Sequence, residues 1–210
     1  MWRKIFIAAS VFSFGLLILF ISVFRTASVK YDFQGARLPQ GSSTVLGDAQ
    51  PKIDYELPYP GGVLPDNVLW PLKVIRDRVW LSVTTNPTRK AELKLLFADK
   101  RIGMAKILFE NGKADDGFST LTKAEKYLEE ASLQGEENKK EGVESTEFLT
   151  HLANASLKHY EVTETILTMA PEEARPGIVQ VQEYPKHAFE LARNSLQEKG
   201  KIPPENPFNW

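Results

Sequence analysis

Residues Asn86 to Lys113 read NPTRKAELKLLFADKRIGMAKILFENGK, and the fold is decided here. Asn86 is a good N-cap residue. Pro87 suits the first helical position, where its missing N–H removes no bond. Ala91, Leu95, Ala98, Ile102, Ala105 and Phe109 then recur in alternating steps of four and three. That spacing draws one apolar seam along a helix, with alanines small enough to let a neighbour approach. Asn111-Gly112 ends it, since both tolerate the left-handed backbone that stops a helix.

Downstream, Gly117, Leu121, Ala124, Leu128 and Ala131 repeat the steps, and Gly135 is expected to terminate that helix. The turn between the two is short, so they should lie antiparallel. Gln134 to Gly142 (QGEENKKEG) reads as a charged, exposed loop. Ser145 then opens a longer helix with Phe148, Leu152, Ala155, His159, Val162, Ile166 and Met169 on its seam. Pro171 and Pro176 bracket the connection to a last helix carrying Ile178, Val181, Ala188, Leu191, Ala192 and Leu196. Pro185 falls inside it, which predicts a kink or two shorter helices. Upstream, Val68, Leu72, Ile75 and Val79 predict a first helix over about 68–83. Asp66 is placed to cap it, and Pro71 to sit in its first turn. Gly200 closes the last helix and residues 201–210 read as a loose tail. The expected fold class is all-α, an up-down bundle of about five helices over residues 66–200 without strands.

The region before the bundle is of another kind. Ser28 to Pro65 is rich in glycine, proline and serine and has no sustained apolar period, which makes residues 25–65 a linker. Its end, Leu57-Pro58-Tyr59-Pro60, favours an extended path, with Gly61-Gly62 turning it toward the bundle. Ahead of the linker, Ile5 to Phe24 (IFIAASVFSFGLLILFISVF) runs twenty positions without a charge, between Arg3-Lys4 and Arg25. A helix of that length spans about 30 Å, the hydrocarbon thickness of a bilayer. The run is expected to be an uncleaved transmembrane anchor, leaving residues 1–4 in the cytoplasm and the bundle outside. The alternatives are a cleaved signal peptide, for which Thr26-Ala27-Ser28 with Arg25 at −3 is a poor site, and a core helix.

Composition narrows the function. The chain has no cysteine, so it can have no disulfide framework, thiolate metal site, cysteine nucleophile or lipidated cysteine. Three of the 26 basic residues precede residue 26, leaving 23 against 27 acidic residues, a formal charge of −4. The two signs alternate without a cationic stripe, so nucleic acid is not an expected partner.

Several short stretches together carry a resemblance. They are Tyr55 to Gly61 (YELPYPG), Leu64 to Asp66 (LPD), Pro71 to Arg78 (PLKVIRDR), Asn86-Pro87, Lys90 to Glu92 (KAE), Ala98 to Arg101 (ADKR), the Asn-Gly-Lys turn, and Lys123 to Leu128 (KAEKYL). The chain from Tyr55 to Ala131 resembles the bacterial domain of unknown function 5667, a family of secreted or membrane-tethered helical domains. The resemblance implies a helical fold and brings no catalytic residue. Arg76, Asp77 and Arg78 are expected on a solvated face or bridging to the neighbouring helix.

Histidine offers the few candidates for chemistry. Glu147 and His151 are four apart on one helix, as are Glu183 and His187 on another, and His159 lies on the seam. A carboxylate–histidine metal cluster between helices is conceivable, but the Glu-x-x-His spacing of di-iron bundles is absent. A satisfied or half-exposed histidine is the expected state of each. Asn154-Ala155-Ser156 matches a glycosylation sequon by chance in mid-helix. Trp70, Trp80, Phe118 and Tyr127 are expected to fill the core. No phosphate loop, nucleophile elbow or paired-carboxylate cleft is visible, so no catalytic, cofactor or metal residue is expected and the chain is not expected to be an enzyme. The expectation is a membrane-anchored extracytoplasmic module with a structural, sensory or protein-interaction role, joined to the membrane by residues 5–24 and to a protein partner. A tetratricopeptide-like peptide-binding scaffold, suggested by the helix pair Lys90 to Ala131, and a metal-handling hairpin built on His151, His159 and His187 are the alternatives.

Overall fold

The computed structural model describes residues 52–210 and, upstream, Gly15 alone. The expected anchor at residues 5–24, Gly15 aside, and residues 25–51 of the expected linker lie outside the described residues. Among the described residues there is no strand, and no helix is long and apolar enough to cross a membrane. The helices are α1 (Trp70–Val83), α2 (Pro87–Glu110), α3 (Ala114–Lys140), α4 (Thr146–Met169), α5 (Arg175–Val181) and α6 (Glu183–Glu198). α5 and α6 abut at Gln182, so they are the broken form of the single last helix expected from sequence. Pro185 falls in the first turn of α6, where its missing N–H has no partner to lose.

Four helices close a bundle. α2 and α6 each pack on both α3 and α4, placing α2 and α6 across the diagonal from each other. The seams pair as their spacing demands. One cluster joins Ala91, Leu95 and Ala98 at the start of α2 to Leu128 and Ala131 at the end of α3, with Phe148 to Leu157 and Ala188 to Leu196. The other joins Ile102, Ala105 and Phe109 to Leu121 and Ala124, with Val162, Ile166 and, from α5, Ile178 and Val181. The α2–α3 pair is therefore antiparallel. The Asn86 side chain accepts the Arg89 N–H at 2.9 Å, as an N-cap should.

The structure corrects the sequence reading in several places. α3 does not stop at Gly135 but continues through the expected loop to Lys140. Gly135 is there for close approach: a Cβ on it would lie 2.7 Å from Cε1 of Phe148. The helix stops at Gly142 (φ +74°), where the Val143 N–H reaches back to the Asn138 carbonyl at 2.9 Å. The tail is not loose, since Phe208 and Trp210 pack on Tyr160 with ring centroids 4.8 and 5.3 Å away. Nor does the linker run free to Pro65. Ile53 is buried and its N–H donates to Glu161 at 2.6 Å. The Lys73 ammonium, from α1, donates to the Pro60 and Val63 carbonyls at 3.1 and 3.2 Å, clasping the turn at Gly61 (φ +91°).

The largest correction concerns α1. Its expected seam faces out: Val68 is 93% exposed, Leu72 58%, Ile75 50% and Val79 39%. The helix turns Trp70, Lys73, Asp77 and Trp80 toward α2 instead, with Trp80 edge-on to Phe97 at 6.0 Å. Asp66 does not cap α1; its carboxylate pairs with Lys113 at the α2–α3 turn. The N-cap position is Leu69, without a side-chain cap, and Asn67 accepts the Leu69 N–H at 2.9 Å in the turn before the helix.

Candidate functional site

Between the two apolar clusters lies one polar layer. His159 of α4 is fully buried, with Nδ1 2.8 Å from Oε1 of Glu125 on α3 and Nε2 3.1 Å from Oδ1 of Asp99 on α2. The Tyr55 hydroxyl, from the segment before α1, donates to the other Asp99 oxygen at 2.8 Å. Four separate segments are thus linked in one chain of hydrogen bonds through the imidazole and Asp99. Burial alone would strip its proton, but the facing carboxylates of Glu125 and Asp99 more than reverse that and hold its pKa at about 10. His159 is therefore an imidazolium at neutral pH, donating through both nitrogens. Burial, reinforced by the Asp99 charge, drives the Tyr55 phenol well above its ordinary range, so it stays a donor. Oε2 of Glu125 is buried without a hydrogen-bond partner.

A second ionic node fastens α1. Arg101 of α2 is 5% exposed, its Nη1 donates to the Phe97 carbonyl at 3.3 Å, and its Nη2 lies 3.6 Å from Oδ2 of Asp77. The guanidinium stacks among Tyr127, Phe97 and Trp70, at 4.5, 5.4 and 5.9 Å from the ring centroids. Arg76 holds the other Asp77 oxygen at 2.7 Å. Asp77 thus bridges to the neighbouring helix, while Arg78 is exposed. Burial lowers the pKa of Lys73 to about 8, the largest influence on it, with Asp77 opposing.

The histidines do not gather. His151 is partly buried toward the start of α4, His187 is exposed on α6, and Glu183 pairs with Lys186 at 2.7 Å. No group of three His, Cys, Asp or Glu residues among the described ones is placed to hold a metal ion. A cleft of about 460 Å³ runs between residues 52–57 and helices α2 and α4. Its charges face each other: Lys158 and Glu161 lie 2.7 Å apart. Asn154 donates to the Thr150 carbonyl within α4.

Sequence reasoning picked out His159 and allowed Asp77 to bridge to the neighbouring helix, but missed Asp99, Glu125, Tyr55 and Arg101. A signal was present. Asp99 and Glu125 each follow a seam alanine and stand four residues after a leucine, Leu95 and Leu121, so they occupy equivalent edges of two facing seams. All four missed residues, and Asp77, also fall in the stretches that carry the family resemblance.

Among known proteins, no curated protein and no solved structure matches the chain. A family model does, described as a domain of unknown function (DUF5667), over residues 62–173, which is more than half of the chain. The match spans α1 to α4 and so both ionic nodes apart from Tyr55, and the chain belongs to the family of the domain of unknown function 5667.

Proposed function

We propose that the chain is a membrane-tethered helical module that works by structure and protein interaction, without catalysis, on the outer side of a cytoplasmic membrane. The observation that carries this reading is where the buried polar groups are committed. Asp99, Glu125, His159, Asp77 and Arg101 engage one another across helices rather than converging on the cleft. Polar layers of that kind are best attested as devices that fix helix register. The uncharged run from Ile5 to Phe24 supports the tether. The closed bundle speaks against a tetratricopeptide-like solenoid, whose helix pairs leave a concave face open for the next repeat. The two carboxylates that occupy both nitrogens of His159 speak against metal handling.

The test is fractionation of the full chain expressed in a bacterial host. Alkaline carbonate should leave it in the membrane pellet, and protease added to spheroplasts should remove residues 66–210 from outside. Release by carbonate, or a domain protected until the cells are lysed, would refute the tethered topology.

A further inference from the structure

Among the described residues, the outer face of α1 carries a row of exposed large apolar side chains that the bundle leaves uncovered. Leu72 (58% exposed), Ile75 (50%), Val79 (39%) and Val83 (58%) recur at steps of three, four and four, and Val68 extends the line. Such a row on one helix is a continuous stripe. Its charge is one-sided. Arg78 is exposed and Arg76 partly so, whereas the lone acid of the helix, Asp77, is turned inward and held by Arg76 and Arg101. The outward surface of α1 therefore bears aliphatic side chains and the Arg78 guanidinium and no carboxylate.

Resting on the membrane-tethered reading, we propose that α1 lies in the plane of an anionic phospholipid surface. The aliphatic stripe sits among the acyl-chain ends, and the exposed Arg78 reaches the headgroup phosphates. A convex single-helix stripe without aromatic anchors is a poor protein hot spot but suits an interface that closes around it. Long arginine side chains keep their charge at headgroup level while their stems lie along apolar surface. The chain's own apolar run cannot serve as the cover, because one stripe would shield a single side of a segment that is apolar all round. Distance favours lipid as well. Residues 52–63 are fastened to the bundle through Ile53, Tyr55 and Lys73, so residues 25–51 alone separate it from the run ending at Phe24. A linker of that length, as its sequence reads, would reach about 30 Å on average, which puts the surface where the run is inserted within range of α1.

The chain has no native cysteine, so single nitroxide labels report cleanly. Full-length Leu72→Cys, Val79→Cys, Lys126→Cys and Leu17→Cys variants would be reconstituted into vesicles of equal parts phosphatidylcholine and phosphatidylglycerol. Collision rates with oxygen and with a water-soluble nickel chelate would then be measured. The oxygen-to-nickel ratio should be several-fold higher at positions 72 and 79 than at Lys126, which is exposed on α3. It should fall on phosphatidylcholine alone and with Arg78→Gln. A Leu17 label in the bilayer with a water-like ratio at 79 overturns the docking and leaves the tether standing. A water-like ratio at 17 removes both. Spin–spin broadening at 79, or exclusion of both colliders there, means that a second copy or another part of the chain covers the stripe, and also overturns it. Equal ratios on neutral vesicles overturn the claim for an anionic surface.

Discussion

Replacing His159 with glutamine tests the polar layer most directly. The variant keeps a hydrogen-bonding side chain of similar reach but removes the positive charge between Glu125 and Asp99. Taking one partner out of a buried ionic cluster costs about 3–5 kcal/mol, mostly from the charges left facing an uncharged group. The loss must depend on pH in a definite sense. His159 titrates at about 10 when folded, against an ordinary value of 6.5. A raised pKa gives stability that is fully present below the unfolded value and is lost as pH climbs through the folded one. Wild-type stability should therefore fall between pH 6.5 and about 10, by about 1.4 kcal/mol per unit where His159 alone differs in protonation. Lys73 runs the other way from about pH 8 upward, because its folded pKa lies below its unfolded one. The informative quantity is hence the difference between wild type and His159→Gln, in which that background cancels. Urea titrations of the full chain in mild detergent, followed by far-ultraviolet circular dichroism from pH 6 to 9.5, measure it. The gap should be widest at pH 6 and narrow steadily upward. ¹⁵N spectra of the wild type at pH 8 should show protons on both ring nitrogens. A gap that stays constant with pH, or a single ring proton at pH 8, refutes a buried imidazolium.

Three further substitutions probe the packing. Gly135→Ala gains about 1 kcal/mol of helix propensity but drives a methyl into the Phe148 ring, a clash worth about 1–3 kcal/mol, so thermal melting should drop modestly. Adding Phe148→Leu should restore it, which a helix-stopping role for Gly135 would not allow. Arg101→Lys keeps the charge but loses the planar contact with Trp70, Phe97 and Tyr127; a cost of about 2–4 kcal/mol is expected in urea titrations. Amide exchange in that variant should rise in α1 before it rises in the bundle. Trp210→Ala removes the ring that stands edge-on to Phe189 at 5.6 Å, and should cost about 2–4 kcal/mol by the same titration. Unchanged stability would mean that the tail is loose after all.

The seams of α2, α3 and α4 were legible because heptad spacing there coincides with burial: Ala91, Leu95, Ala98 and Ile102 are all 1% exposed or less. α1 was misread for a physical reason. It carries two stripes at the same three-and-four spacing, Leu72-Ile75-Val79 and Trp70-Lys73-Asp77-Trp80, and hydropathy favours the one without charges. The structure buries the other, because Arg101 compensates Asp77 while Trp80 packs edge-on to Phe97 and Trp70 lies against the Arg101 guanidinium. Gly135 misled similarly, since a helix-stopping glycine and one that admits a phenyl ring look alike in sequence. The seam placed His159 in the core. Its partners were hidden because they come from two other helices, and only the closed bundle brings them within 3.1 Å.

The two ionic nodes are joined in one four-residue stretch. In Ala98-Asp99-Lys100-Arg101 the two charged residues that are buried stand two apart, about 200° around the helix from each other. Asp99, 3% exposed, faces inward to α4 and accepts from His159; Arg101, 5% exposed, faces α1 and holds Asp77. The stretch is therefore a two-sided clamp, setting the register of the bundle with one side and fastening α1 with the other. Each side carries a charge that is costly to bury alone, so slipping α2 by one residue would orphan both at once. The charges of this stretch are thus engaged with other helices of the domain. The clamp also fixes the orientation of the uncovered stripe. With Asp77 held inward by Arg101, Leu72, Ile75 and Val79 have no direction left but outward.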